Sequence, residues 1–163
     1  DAIGREHQVA TIQLDMNMPD RFDLYCINEK GEQERIVMIH AAIMGSIERF
    51  MSVLIEHTAG AFPTWLSPTQ VTIVPVRENH NDEAKKVYDM LKENNIRVEL
   101  ADSDESLGKR INHAKAEKVP YVIVLGDKEV ESKMLTIEGR ESKTEMTAQD
   151  FLSKLKEEIQ NKK

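Results

Sequence analysis

Ile39-His40-Ala41-Ala42-Ile43-Met44-Gly45-Ser46-Ile47-Glu48-Arg49-Phe50 is the stretch from which the chain is best read. A strand reading from Arg35 to His40 runs into a helix that starts near Ala42. Ile43, Ile47, Phe50 or Met51, and Leu54 recur at helical spacing and make one apolar face. Gly45 falls early in that helix, where glycine costs about 1 kcal/mol against alanine. Close approach of another backbone or of a ligand is the usual compensation. Ser46 and Arg49 flank it, one turn apart and able to face the same side.

Upstream, Thr11-Ile12-Gln13-Leu14-Asp15 alternates as a strand, with Ile12 and Leu14 on one face and Thr11, Gln13 and Asp15 on the other. Taken alone, that polar face reads as a solvated sheet surface. Asn17 to Phe22 is a turn-rich connection. Leu24 to Ile27 and Glu34 to His40 form a hairpin candidate around Asn28-Glu29-Lys30-Gly31. Downstream, Gly60, Pro63 and Pro68 are helix stop signals, and the domain boundary is placed there, between residues 66 and 67.

From Gln70 the period changes. Val71 to Val76 is a nearly continuous apolar run, as in a buried parallel strand. Residues 81–95 read as a helix with Ala84, Val87, Tyr88 and Leu91 on one face. A strand from Ile96 to Leu100, a helix from Leu107 to Glu117 and a strand from Val119 to Leu125 follow. This β-α-β-α-β order predicts a parallel sheet with right-handed crossovers. A further strand from Lys133 to Ile137 and a final amphipathic helix, capped by Thr147 and running to about Gln160, complete the chain.

Ligands in open α/β sheets bind beyond the carboxyl ends of the strands. There, after the third parallel strand, stands Gly126-Asp127-Lys128-Glu129. Glycine permits the turn, and a carboxylate such as Glu129 can accept from a base edge, for instance guanine N1–H and N2–H. After the first strand stands Arg77-Glu78-Asn79-His80 with no glycine-rich phosphate loop, which argues against a dinucleotide domain.

Composition narrows the classes further. The 163 residues include 40% apolar types, enough for a core. No apolar run approaches the ~20 residues of a membrane span. Cys26 is the single cysteine, so an internal disulfide and a multi-cysteine zinc site are excluded and a reducing, cytoplasmic setting fits. Net charge is −7, and from Val71 onward 17 lysines and arginines stand against 19 acidic residues. That is not the balance of a bulk phosphate binder, so any RNA contact must come from a local patch with bases discriminating. The absence of an initiating methionine at Asp1 is read as a truncated reading frame or a cut piece.

The stretch from Ile39 to Phe50 resembles the third signature motif of class II aminoacyl-tRNA synthetases, and within them the threonyl-tRNA synthetases. Leu54 to Pro68 is similar to the segment leading to their anticodon-binding domain, and the resemblance covers nearly the whole chain. It implies an antiparallel β plus motif-three helix portion of a catalytic domain in residues 1–66. It also implies a three-layer α/β anticodon-binding domain with a mainly parallel mixed sheet in residues 67–163. Gly4 to Asp15 resembles the family's penultimate active-site strand. The resemblance implies that Gln8 and Thr11 contact ATP with Ser46 and Arg49, and that Gln13 lies by the amino acid. Arg49 matches the motif arginine at the triphosphate end, where a fixed planar cation stabilises charge on phosphate oxygens. Seen alone, it reads as a surface arginine paired with Glu48 or Glu56.

In the same family the histidine matching His40 is one of three protein ligands to a zinc ion that grips threonine. Three ligands plus an open position is what a substrate-binding zinc needs. The other two belong upstream of this chain, so an empty site is expected. His7 stands where the family usually has tryptophan, and Ala41 where most members have arginine. Glu129 matches the family's anticodon-contacting residue, and Lys109, Arg110 and Arg140 are the basic candidates beside it. By themselves these three read as a solvated face.

The resemblance thus implies a threonine–tRNA ligase using ATP with Mg2+, threonine and threonine tRNA, with Zn2+ in the parent enzyme. That enzyme is expected to be a cytoplasmic homodimer without membrane attachment. Lacking the first two class II motifs, this chain is expected not to aminoacylate alone. Two rivals stay open: a free-standing RNA-binding module, and a small α/β protein with protein partners.

Overall fold

The computed structural model describes residues 1–101 and 104–163. They fall into two compact units, Asp1–Ala59 and Gly60–Lys163.

The first unit runs β1 (Thr11–Asp15), α1 (Asn17–Arg21), β2 (Tyr25–Ile27), β3 (Gln33–Arg35), β4 (Met38–Ala42) and α2 (Ile47–Thr58). The expected hairpin arm from Glu34 to His40 is two strands. β3 pairs antiparallel with β2, whereas β4 leaves that hairpin and pairs antiparallel with β1. The helix expected near Ala42 begins at Ile47 instead. Met44 and Gly45 both adopt positive φ, which ends the strand, and Ser46 caps the helix by accepting from the Arg49 N–H. Gly45 therefore lies in the turn, at φ +53°, where a Cβ would stand 3.3 Å from the Val9 carbonyl oxygen. Both its backbone conformation and the approach of Val9 call for glycine.

Among the described residues of this unit only Pro19 is buried. Ile12, Leu14 and Ile39, on the apolar face of the β1–β4 ribbon, are each more than 60% exposed.

The second unit runs β5 (Val71–Pro75), a short 3-10 turn (Glu78–His80), α3 (Asn81–Glu93), β6 (Val98–Leu100), α4 (Leu107–Ala116), β7 (Tyr121–Leu125), α5 (Asp127–Ser132), β8 (Leu135–Gly139), β9 (Lys143–Met146) and α6 (Ala148–Gln160). Its sheet has the order β6-β5-β7-β8-β9. β5 pairs in parallel with β6 and β7, and β8 and β9 continue antiparallel. The step from β5 to β6 and the step back to β7 run in opposite directions along the sheet. Two right-handed crossovers must then put α3 and α4 on opposite faces. The core shows that they do: Val71, Ile73, Ile123 and Leu125 pack with Leu91 of α3 and Phe151 and Leu155 of α6. Val74 and Val122 pack with Ala114 of α4. Buried on both faces, β5 can afford no polar alternation, which is why it reads as a nearly continuous apolar run broken only by Thr72.

Residues 60–66 bond within this second unit, although the stop signals placed them before the boundary. The Gln70 amide, fully buried, donates to the Thr64 carbonyl at 2.8 Å and accepts from the Arg97 N–H at 2.9 Å. The Arg97 guanidinium reaches the Trp65 carbonyl at 2.7 Å. Thr64 donates to Glu158 on α6 at 3.1 Å.

Candidate functional site

The exits of β5 and β7 lie side by side, because these strands are parallel neighbours and the Val76 N–H donates to the Leu125 carbonyl at 2.8 Å. A Cβ on Gly126 would come within 3.1 Å of the Val76 side chain, so glycine lets the two exits pack. Glu129 then folds back over the start of α5. One carboxylate oxygen accepts from the Gly126 N–H at 3.0 Å, and the other accepts from the Thr136 hydroxyl at 2.6 Å. Burial pushes the Glu129 carboxyl up, but these donors outweigh it and hold it below the usual range. Each oxygen keeps a second lone pair, so the anion can still accept from a ligand.

His80 locks the neighbouring loop. Its Nδ1 lies 3.2 Å from the Arg77 backbone N–H, which can only donate. Nδ1 is therefore the acceptor and Nε2 carries the proton. That N–H donates to the Asp127 carboxylate at 2.9 Å and holds the Asp127 carboxyl below its ordinary value. The Arg77 guanidinium, well exposed, approaches the other Asp127 oxygen at 3.7 Å. In the sequence His80 stands out only as filling a place without glycines. A histidine ending a short 3-10 turn between a strand and a helix carries no periodicity that would announce burial.

The basic candidates are dispersed. Lys109 is an exposed side chain paired with Glu105, one turn earlier. Arg110 is only 6% exposed and donates to the Pro75 carbonyl at 2.7 Å, at the carboxyl end of β5; its Nε is buried without a hydrogen-bond partner among the described residues. Arg140 follows the far end of β8, since β8 runs antiparallel to β7 and Gly139 pairs with Tyr121. It donates to the carbonyls of Phe62 and Lys118. The structure thus brings Glu129 and Arg110 to the carboxyl edge of the parallel strands and leaves Arg140 at the opposite edge.

In the first unit the register of β1 and β4 sets Gln13 opposite His40 and Thr11 opposite Ala42, on one face of the ribbon. Asp15 shares that face, and its carboxylate lies 3.0 Å from His40 Nε2. Hydrogen bonds to the Asp15 carboxylate, from the Met18 N–H first and His40 second, hold it below the usual range. Arg49 reaches the Gln8 carbonyl at 3.3 Å, and the Ser46 hydroxyl donates to Glu48 at 2.8 Å. So Gln8 and Arg49 are joined, and Thr11, Gln13 and His40 share one surface. Within this chain the surface does not complete a zinc site. Cys26 lies on β2 in the other hairpin, and no three His, Cys, Asp or Glu side chains among the described residues gather to hold a metal.

Residues 70–158 match the family described as "Anticodon binding domain". This chain belongs to that family. Its anticodon-binding domain is preceded by residues 1–58, which match "tRNA synthetase class II core domain (G, H, P, S and T)". The chain is 48% identical over 164 residues to a threonine–tRNA ligase of Clostridium botulinum, covering 99% of this chain and 26% of that protein. It is 46% identical over 165 residues to a threonine–tRNA ligase of Thermotoga neapolitana, covering 100% and 26%. In structure it is similar to the RNA binding domain of threonyl-tRNA synthetase from Cryptosporidium parvum Iowa II. There the TM-score is 0.87 at 33% identity, covering 96% of this chain and 40% of that one. The chain thus spans about a quarter of the length of the curated relatives it matches. Its mixed α/β architecture is that of an anticodon-binding domain preceded by a class II core segment, as the family resemblance implied. No helix among the described residues is long and apolar enough to cross a membrane.

Proposed function

We propose that this chain belongs to a threonine–tRNA ligase and that its second unit reads the anticodon of threonine tRNA at the carboxyl edge of the parallel strands. The observation that carries the reading is Glu129, an anionic acceptor fixed by two internal donors at the ligand-binding edge of an anticodon-family fold. A fixed carboxylate suits adjacent N1–H and N2–H donors of a guanine and disfavours an adenine, which offers no such pair. Arg110 would serve by holding the Pro75 carbonyl and shaping that edge. Lys109 and Arg140 are assigned weaker, phosphate-steering contacts.

The first unit would supply part of the amino-acid-activating site, and the second unit the reader. In the first, Gln8, Thr11, Ser46 and Arg49 would contact ATP, which arrives with Mg2+, and Gln13 would lie by threonine. The threonine carboxylate attacks the α-phosphorus and pyrophosphate leaves. The planar Arg49 cation would stabilise charge on the phosphate oxygens. His40 would give one nitrogen donor to a zinc ion in the whole enzyme. We place that enzyme in the cytoplasm, in keeping with the exposed free thiol of Cys26, and as a homodimer. The chain by itself is proposed to be inactive in threonine activation, and threonine-dependent pyrophosphate exchange by the purified chain would overturn that.

Titration of labelled threonine tRNA into the chain at several salt concentrations tests the reading. Binding that discriminates against other tRNAs is expected. Binding that is absent, or equal for all tRNAs, would favour the rival of a small α/β protein acting on other partners.

A further inference from the structure

His80 is the most deeply buried titratable ring in the second unit, at 3% exposure, and no step proposed above uses it. Both of its nitrogens are engaged, and the two partners sit on different loops. Nδ1 holds the backbone N–H of Arg77, after β5, while Nε2–H holds the carboxylate of Asp127, the first residue of α5 after β7. The ring is thus a rivet between the exits of two adjacent parallel strands. Asp127 stands two residues before Glu129 on the same short helix, and Gly126, next to Asp127, donates the backbone bond that fixes the Glu129 carboxylate. Whatever moves Asp127 moves both.

From this juxtaposition the geometry points to His80 and Asp127 as positioning residues for RNA recognition, which hold α5 so that the Glu129 carboxylate presents to a base edge. The inference rests on the reading of Glu129 given above. It has a sign that bulk electrostatics does not share. Asp127 is an exposed carboxylate, 63% accessible, so removing its charge should tighten binding to a polyanion if charge alone mattered. If Asp127 acts by position, removing it weakens binding.

The test is fluorescence titration of the full chain with a labelled threonine anticodon stem–loop RNA at fixed salt, together with thermal melts. Asp127→Ala is expected to weaken binding about tenfold, the cost of losing one charge-assisted hydrogen bond. Its melting temperature should fall by several degrees, because the buried His80 Nε2–H loses its acceptor, while the chain stays folded at the temperature of the titration. Asp127→Asn should restore binding, since its amide oxygen still accepts from His80 Nε2–H. His80→Gln, which offers one acceptor and one donor, should retain more affinity than His80→Leu. Wild-type binding that is weakened by Glu129→Gln but equalled or exceeded by Asp127→Ala would overturn the positioning role and leave the reading of Glu129 intact. Wild-type binding that Glu129→Gln does not change would instead sink the reading, and this inference with it. Should His80→Leu fail to fold, the Asp127 pair alone decides.

Discussion

Replacing Gln70 by leucine tests how residues 60–70 are fastened to the anticodon-binding unit. The Gln70 side chain is fully buried and bridges two backbone groups, the Thr64 carbonyl and the Arg97 N–H. Leucine is close in volume, so packing is roughly kept, but both backbone groups lose their partner. A fully buried stranded group costs about 1–3 kcal/mol. The Thr64 carbonyl is buried and the Arg97 N–H partly so, so the pair should cost roughly 2–4 kcal/mol, less what the apolar side chain returns. That is a large part of the ~5–15 kcal/mol typical of a domain. Trp65 is the chain's single tryptophan and belongs to this unit, so its fluorescence during urea unfolding reports the right transition. With a slope of about 1–2 kcal/mol per molar urea, the midpoint should fall by roughly 1–3 M at unchanged slope. A fall below about 0.5 M would refute the argument, because the stranded groups would then have found other partners at no cost.

Other consequences follow from particular residues. Lys133 caps α5 in the left-handed conformation at φ +57°, so Lys133→Gly should raise the urea midpoint of the second unit by the equivalent of about 0.5–1 kcal/mol. Donors to Glu129 hold its folded carboxyl below its unfolded value. That stability is present above the unfolded pKa and is lost as pH falls through the folded one. Urea midpoints of wild type and Glu129→Gln should therefore differ at neutral pH and converge on acidification below about 4. The first unit buries only Pro19 among its described residues. Its amides should exchange with solvent well before those of β5 and β7, as hydrogen-exchange mass spectrometry would show; equal protection in both units would contradict this.

Much of the second unit could be read from its residues. Val71 to Pro75 announces a strand buried on both faces, and the spacing of Ala84, Val87 and Leu91 marks the inward side of α3. β9 escaped because Lys143-Thr144-Glu145-Met146 is a polar edge strand with little to bury. The start of α2 was misread because Ile43 and Ile47 keep helical spacing across a turn that only the backbone of Met44 and Gly45 reveals. At the candidate site, Glu129 was legible from glycine and carboxylate at a strand exit. The burial of Arg110 was not, because its bond to the Pro75 carbonyl joins segments far apart in sequence. The placement of Arg140 was available in principle. Four residues beyond Thr136, a strand that begins beside Glu129 must end at the other edge of the sheet.

The central claim is that Glu129 accepts from the base edge of a guanine in the threonine anticodon. The direct measurement is a double-mutant cycle, binding stem–loops with guanine or inosine at that base to wild type and to Glu129→Gln. Inosine lacks the N2 amine and keeps N1–H. The account predicts that inosine weakens wild-type binding by roughly five- to tenfold and that Glu129→Gln shows little further penalty, a coupling of about 1 kcal/mol. An inosine penalty of the same size in both proteins would mean that the carboxylate does not meet that base.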